Sequence, residues 1–370
     1  MRVKMGKKVL ITGVAGLIGS ACSKLFLEKG WKIIGVDNNM RGTVFGKDAS
    51  ISVNIDEEDI FNDKNLEMVE ADIRDKEKMK ELISKVDAVV HTAAQPSHPK
   101  SLEMPMEDFQ INAYGTLLLL ELTRKNNPDI PFAFTSSNKV YGDYPNFFSY
   151  KIVGKRYENM ATDSFNEELP IDRCGHTPFG VSKVAADLYC QEYAINYGLK
   201  TATFRGGCLT GKNSRAVEMH GYLPFIIKCA LTGQKYHIFG GGYRVRDQIH
   251  SSDVASAIYA FIEDPKPTPI GNYGQPYNLG GGTENSISIF ETIDAIKAKT
   301  GMELNSEEGP ERESDHIWWI SDISKFKRHY PEWKVTKDLD YIFNEIIEYY
   351  IKKLDLNIQL KEKDYFKKIR

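Results

Sequence analysis

The sequence predicts a doubly wound α/β fold, a parallel sheet covered by helices on both faces, with a smaller α/β lobe attached. Three observations predict it. Short apolar strands alternate with amphipathic helices through the first half of the chain. A glycine-rich turn joins the first of those strands to the first helix. After about Gly206 the rhythm breaks into segments punctuated by Gly and Pro.

Taken in order, Val9-Leu10-Ile11, Lys32 to Val36, Ala88 to His91, Phe132-Ala133-Phe134 and Thr201 to Arg205 are apolar runs of strand length. Strands that are apolar on both faces belong to a sheet buried on both faces, which is a parallel one. Helical patterns fill Leu17 to Glu28, Lys76 to Lys85, Phe109 to Lys125 and the region of Lys183 to Tyr197. Tyr144 to Asp172 has few apolar repeats and reads as a long loop, which in a compact domain is usually functional or disordered. Leu339, Ile342, Phe343, Ile346, Ile347, Tyr350 and Ile351 make one helical stripe that packs on a core. Residues 1–205 are expected to form the first domain, with a return segment at about 245–263. Residues 206–244 and 264–370 are expected to form the smaller lobe.

A chain of 370 residues, 41% hydrophobic and 27% charged, can bury a large core. Its formal charge of −3 gives no reason to bind nucleic acid or an anionic membrane, and no partner of either kind is expected. No apolar run reaches the length that spans a bilayer. Five scattered cysteines fit neither a disulfide framework nor a zinc site, so no metal is expected. Basic residues lead directly into the first strand without an apolar leader, which makes the cytoplasm the expected compartment.

Gly13-Val-Ala-Gly16-Leu17-Ile18-Gly19 follows the first strand and opens the first helix. Gly13 permits a tight turn, Gly16 lets main-chain amides approach a pyrophosphate, and Gly19 lets the helix pack on the sheet. The free amides around Leu17 and Ile18, at the positive end of the helix dipole, favour phosphate. The second strand ends at Asp37-Asn38, where a carboxylate accepts from both ribose hydroxyls and repels a 2′-phosphate. Asp72-Ile73 falls beside the adenine edge. This is a Rossmann-type dinucleotide site, and the cofactor it predicts is NAD rather than NADP.

The spacing from Gly13-Gly16-Gly19 through His91-Thr92-Ala93-Ala94 to Val140-Tyr141-Gly142 and Lys183 resembles the extended short-chain dehydrogenases/reductases, over nearly the whole chain. Gln95-Pro96-Ser97-His98, Ser136 to Asp143 and Phe204 to Gly211 are most similar to the CDP-paratose (tyvelose) 2-epimerases. The resemblance implies hydride exchange between a nicotinamide and a sugar carbon. It implies that Thr92, Ala93 and Ala94 border NAD, that the Ser137 hydroxyl bonds the reacting sugar oxygen, and that Lys183 binds the nicotinamide ribose. Asn112, with Gly115 and Thr116, takes the place of the family's structural asparagine. A homodimer built on a four-helix contact is also implied.

One position departs from the family pattern. The catalytic tyrosine, one helical turn before Lys183, is Phe179. A phenyl ring exchanges no proton, and general acid–base catalysis contributes about 10²–10⁴-fold. Either Lys183, Lys139 or His176 handles the proton, or the chain is a Tyr-to-Phe variant that traps ligand, or it binds without chemistry. The first is favoured, because a branch of the family that resembles this chain reads Phe-Gly-x-Ser-Lys here. Where dehydratases of the family carry Asp-Glu after the serine, this chain has Asn138-Lys139, which cannot remove water as a carboxylate pair does. Epimerisation through a transient ketone, at sugar carbon 2 of a CDP-linked hexose, is therefore the expected reaction. Its rivals are another reductase or 4-epimerase of the same fold, and a catalytically impaired NAD-binding sensor.

For a nucleotide-diphospho-sugar, the resemblance points to Gln95, Ser97, His98, Asn138, Gly207 and His220 as substrate-binding residues, His220 entering the cleft from the second lobe. It points to Arg246 and Arg312, the latter followed by Asp315, as clamps on the diphosphate, where a planar guanidinium suits paired oxygens.

Overall fold

Seven parallel strands make the spine of the first lobe in the computed structural model, which describes residues 6–218 and 220–369. They are β1 (Lys8–Thr12), β2 (Lys32–Asp37), β3 (Leu66–Glu70), β4 (Ala88–His91), β5 (Pro131–Ser137), β6 (Lys200–Gly206) and β7 (Gln275–Leu279). Their order across the sheet is β7-β6-β5-β4-β1-β2-β3. Side chains alternate across it with the period of two that a strand imposes. Val9, Ile11, Val90 and Ala133 enter one core layer, and Leu10, Val89, Phe132 and Phe134 enter the other. The first layer is closed by α1 (Leu17–Glu28). The second is closed by α2 (Lys76–Ile83), α3 (Gly115–Asn126) and α4 (Thr177–Tyr197). A fifth helix, α5 (Ser251–Glu263), packs beside α1 in the first layer through Val254, Ala257, Ile258 and Phe261. The strand order reverses between β1 and β4, so the chain leaves these neighbouring strands in opposite directions and opens a crevice at their carboxyl ends.

Several expectations need correction. Gln275–Leu279, assigned from sequence to the smaller lobe, is the edge strand of the main sheet, paired in parallel with β6. The return segment is split: α5 joins the first lobe, while Val245–His250 pairs with Cys208–Thr210, Ser286–Ser288 and Trp318–Trp319 in the second lobe's sheet. The stretch 144–172 is not a plain loop, because Tyr150–Val153 and Arg156–Asn159 form an antiparallel hairpin. Both strands are short and largely polar, which is why no period shows in the sequence. A π-helical turn at Phe109–Tyr114 precedes α3. α4 begins at Thr177, six residues ahead of the expected start.

The second lobe has its own core, in which Ile226, Ile227, Ile296, Ile342, Phe343 and Ile346 meet from three helices, Tyr222–Thr232, Ile289–Thr300 and Leu339–Lys353. An aromatic cluster of Tyr141, Phe165, Trp318 and Trp319 lies beneath the turn that follows β5. It ties that turn to the second lobe. No helix among the described residues is long and apolar enough to cross a membrane.

Candidate active site

A cleft of about 470 Å³ lies at the strand reversal and extends under the second lobe. Gly13, Gly16, Leu17, Ile18, Asp37, Asn38, Asp72, Ile73, Thr92, Ala93 and Ala94 line one end. Gly13 has φ +68°, and a Cβ there would lie 2.8 Å from the Ala93 nitrogen. Gly19 does not reach the cleft; a Cβ on it would stand 2.0 Å from the Gly13 carbonyl oxygen, so only glycine lets α1 start this close to β1. The Asp37 carboxylate accepts from the Ala15 and Asn39 amides at 3.2 and 3.0 Å. Burial raises its pKa while these amides lower it. Asp72 is gripped by Arg74 at 2.7 Å and by Asn38 Nδ2 at 3.1 Å, which fixes the far wall. Glycines that admit a diphosphate to main-chain amides, with one carboxylate at the end of β2, are the donor and acceptor set that a dinucleotide needs.

The middle of the cleft is formed by Ser137, Asn138 and Lys139 after β5, Phe179 and Lys183 on α4, and His98. Ser137 Oγ accepts from the Lys139 amide at 3.1 Å, which turns the chain and holds the hydroxyl at the rim. Lys183 is buried, donates to the Thr135 carbonyl at 3.0 Å, and sits 4.7 Å from the centre of the Phe134 ring. Burial pushes its ammonium down to about 8, against the opposing pull of Asp108. Lys139 differs. Its Nζ donates to the Ser314 carbonyl at 3.0 Å and to Asp315 at 3.2 Å. Burial depresses Lys139 too, against the opposing pull of Asp315.

Towards the second lobe, Gly207, His220, Arg246 and Arg312 all line the cleft, with His220 meeting the cofactor wall. Arg246 Nη2 donates to Asp315 at 3.0 Å, so Asp315 bridges two cations and its carboxyl is held well below the usual range. Arg312 lies 3.8 Å over the Phe239 ring and donates to the Glu218 carbonyl. His98 Nε2 in the middle of the cleft and His316 Nδ1 in this wall are buried with no hydrogen-bond partner among the described residues. Such atoms are costly unless something polar reaches them.

Three expected site residues lie elsewhere. Both ring nitrogens of His176 face main-chain carbonyls, of Cys174 and Val140 at 3.0 Å each, and the ring serves as a buttress behind the turn rather than in the cleft. Gln95 and Ser97 are fully buried beneath it. Gln95 Nε2 donates to Asp108 at 2.8 Å and to the Ser97 carbonyl, while Ser97 caps the helix His98–Glu103. Asn112 accepts from the Gln95 amide and donates to its carbonyl, locking the chain after β4. Sequence reading missed Arg41, Asn54 and Arg215, which also line the cleft. A cation four residues beyond the acidic end of β2 was the only available signal, and it belongs to no motif.

Residues 9–280 match the NAD dependent epimerase/dehydratase family. The chain is 31% identical to the CDP-paratose 2-epimerase of Salmonella typhi over 326 residues, covering 86% of this chain and 92% of that protein. It is 29% identical to a putative UDP-glucose 4-epimerase of Methanocaldococcus jannaschii over 90% of this chain and 94% of that one. Among solved structures, the UDP-glucose 4-epimerase of Thermotoga maritima with UDP-glucose superposes with a TM-score of 0.73 at 26% identity, covering 94% and 99% of the two chains.

Proposed function

The chain belongs to the NAD-dependent epimerase/dehydratase family, and from that premise we propose that it epimerises a nucleotide-linked hexose, at carbon 2 of a CDP-sugar, through a transient ketone. The observation that carries the reading is the turn after β5. Where elimination of water needs a free acid and base, the turn presents a buried amide, Asn138, and a cation, Lys139, tied to Asp315. The relative named a CDP-paratose 2-epimerase supports the carbon and the base.

When bound, NAD supplies a nicotinamide that accepts a hydride from the sugar carbon and returns it. Lys183 Nζ, with no carboxylate partner among the described residues, takes the proton of the sugar hydroxyl and gives it back. Ser137 donates to the same oxygen. Lys139, held by Asp315, keeps positive potential at that oxygen as it becomes a carbonyl. The ketone turns its other face before both hydrogens return, so there is no net redox change. Arg246 and Arg312 hold the diphosphate while the sugar turns. Incubation with a panel of CDP- and UDP-linked hexoses, followed by NMR, is expected to show one sugar partly converted to its epimer, with no lasting change in nicotinamide absorbance. Sugars all returned unchanged would refute the reading, and stoichiometric cofactor turnover would assign a reductase.

We also propose a homodimer. Leu102, Met106 and Phe109 are exposed beside Val181, Leu188 and Tyr189 of α4, an apolar face that a second copy would cover. Sedimentation is expected to give twice the chain mass, and Leu188→Glu with Leu102→Glu to give a monomer.

A further inference from the structure

A cation with no carboxylate partner among the described residues stands where the cofactor wall meets the second lobe. Arg41, on the short helix Met40–Phe45 just past Asp37, lines the cleft. Its Nη1 donates to His220 Nδ1 at 3.1 Å, and its Nη2 donates to the Arg215 carbonyl. Both acceptors are neutral. Burial, then Arg41 itself, holds the His220 imidazole well below the ordinary histidine range, so it takes the hydrogen bond without supplying charge. The neighbouring charge is of like sign: Arg215, already matched by Glu57 at 2.8 Å. Burial and Arg215 lower the Arg41 guanidinium to about 10, which leaves it charged at neutral pH. Arg41 is only partly buried, and a guanidinium held in one orientation by neutral acceptors while it faces a cavity is a ready partner for an anionic ligand.

The surroundings say which anion. Asn54 Nδ2 donates to the Ala15 carbonyl inside the glycine turn at 2.7 Å, and to the Asn213 carbonyl at 3.2 Å. Its Oδ1 accepts from Arg215 Nε at 2.6 Å. A continuous hydrogen-bonded path therefore runs from the glycine turn through Asn54 and Arg215 to Arg41. Arg41 thus shares one cleft, and one hydrogen-bonded path, with the helix end whose amides face a diphosphate.

We propose that Arg41 is the counter-charge of the dinucleotide's diphosphate. Its bond to His220 then makes the bound cofactor part of the seam between the lobes, retained through turnover. The rest of the seam fits this role. Glu57 also meets Tyr349 and Lys353 of the second lobe at 3.0 Å each, Glu58 meets Lys212 at 2.8 Å, and Asp48 meets Lys228 at 3.2 Å. The segment carrying Arg41 must part from the second lobe before that wall opens. The proposal rests on the NAD site and not on which sugar is turned over.

The test uses the full chain stripped of nucleotide, with circular dichroism to confirm folding of each variant. NAD, adenosine and CDP are titrated by calorimetry or by saturation-transfer NMR. Arg41→Ala is expected to weaken NAD about 10–100-fold, the range of a hydrogen-bonded charge. Adenosine, which has no phosphate, and CDP are expected to bind as before. Arg41→Lys is expected to recover part of the loss, and the salt dependence of NAD binding to flatten in Arg41→Ala. Unchanged NAD affinity overturns the proposal. So does an equal loss for adenosine, which would make Arg41 a lobe strut, or a loss for CDP alone, which would assign it to the substrate's diphosphate. None of these readouts requires epimerase activity, so failure here and failure of the proposed reaction are separable.

Discussion

Lys183→Met is expected to lower kcat for epimerisation by about 10²–10⁴-fold, the contribution of a positioned proton carrier. With Phe179 at the usual tyrosine position, Lys183 is a buried titratable group of the central cleft with no carboxylate partner among the described residues, whereas Lys139 is paired with Asp315. A depressed ammonium, about 8 against an ordinary 10.5, provides a neutral amine near working pH. The sign follows. Below about pH 8 the amine is protonated and cannot accept the hydroxyl proton, so kcat/KM should rise with pH and level off above that value. The same shift affects stability. Between about 8 and 10.5 the unfolded chain holds a proton that the folded chain has released, so this residue's contribution becomes more favourable as pH rises through that window. A profile flat across the window, or a Lys183→Met enzyme of near-normal kcat, would remove Lys183 from the chemistry. NAD titration of the variant separates lost proton transfer from lost ribose binding.

Lys299→Met is expected to cost about 3–5 kcal/mol of folding stability without touching the cleft, because it strands a buried carboxylate. The Lys299 side chain is wholly buried. It donates to Asp340 at 2.7 Å, to Asn344 at 2.9 Å and to the carbonyls of Lys363 and Glu362 at 2.9 and 3.2 Å. It thereby binds the helix Ile289–Thr300 to Leu339–Lys353 and to the C-terminal segment. Asp340 in turn accepts from the Phe366 and Lys367 amides at 3.1 and 3.2 Å. Urea unfolding measures the loss, and hydrogen exchange at Tyr365–Ile369 should show where it begins. Adding Asp340→Leu should restore part of the stability, since apolar groups of similar volume replace a buried ion pair at little net cost. A double variant no more stable than Lys299→Met would mean that the carbonyl contacts, not the stranded carboxylate, set the cost.

The dinucleotide half of the site was legible because its chemistry is local. Gly13, Gly16 and Gly19 are required within a few residues by one turn and one helix start, and Asp37 by the end of the next strand. The sugar half was less so. His176, Gln95 and Ser97 have the residue types of a site, yet the fold directs their polar atoms to main-chain carbonyls, Asp108 and a helix cap. Residue type alone does not say which way a side chain points.

From its own pattern the sequence determined the parallel sheet and the identity of the cofactor, since strand period, glycine spacing and one acidic strand end are short-range constraints written in consecutive residues; the family followed from resemblance. Only the tertiary structure decided that β7 returns to the main sheet, that Asp315 lies between Lys139 and Arg246, and that Arg41 meets His220 across the lobes. Those pairings join residues some 70 to 180 positions apart. Whether such groups meet depends on how two separately packed cores close on each other, and no local period or spacing records that.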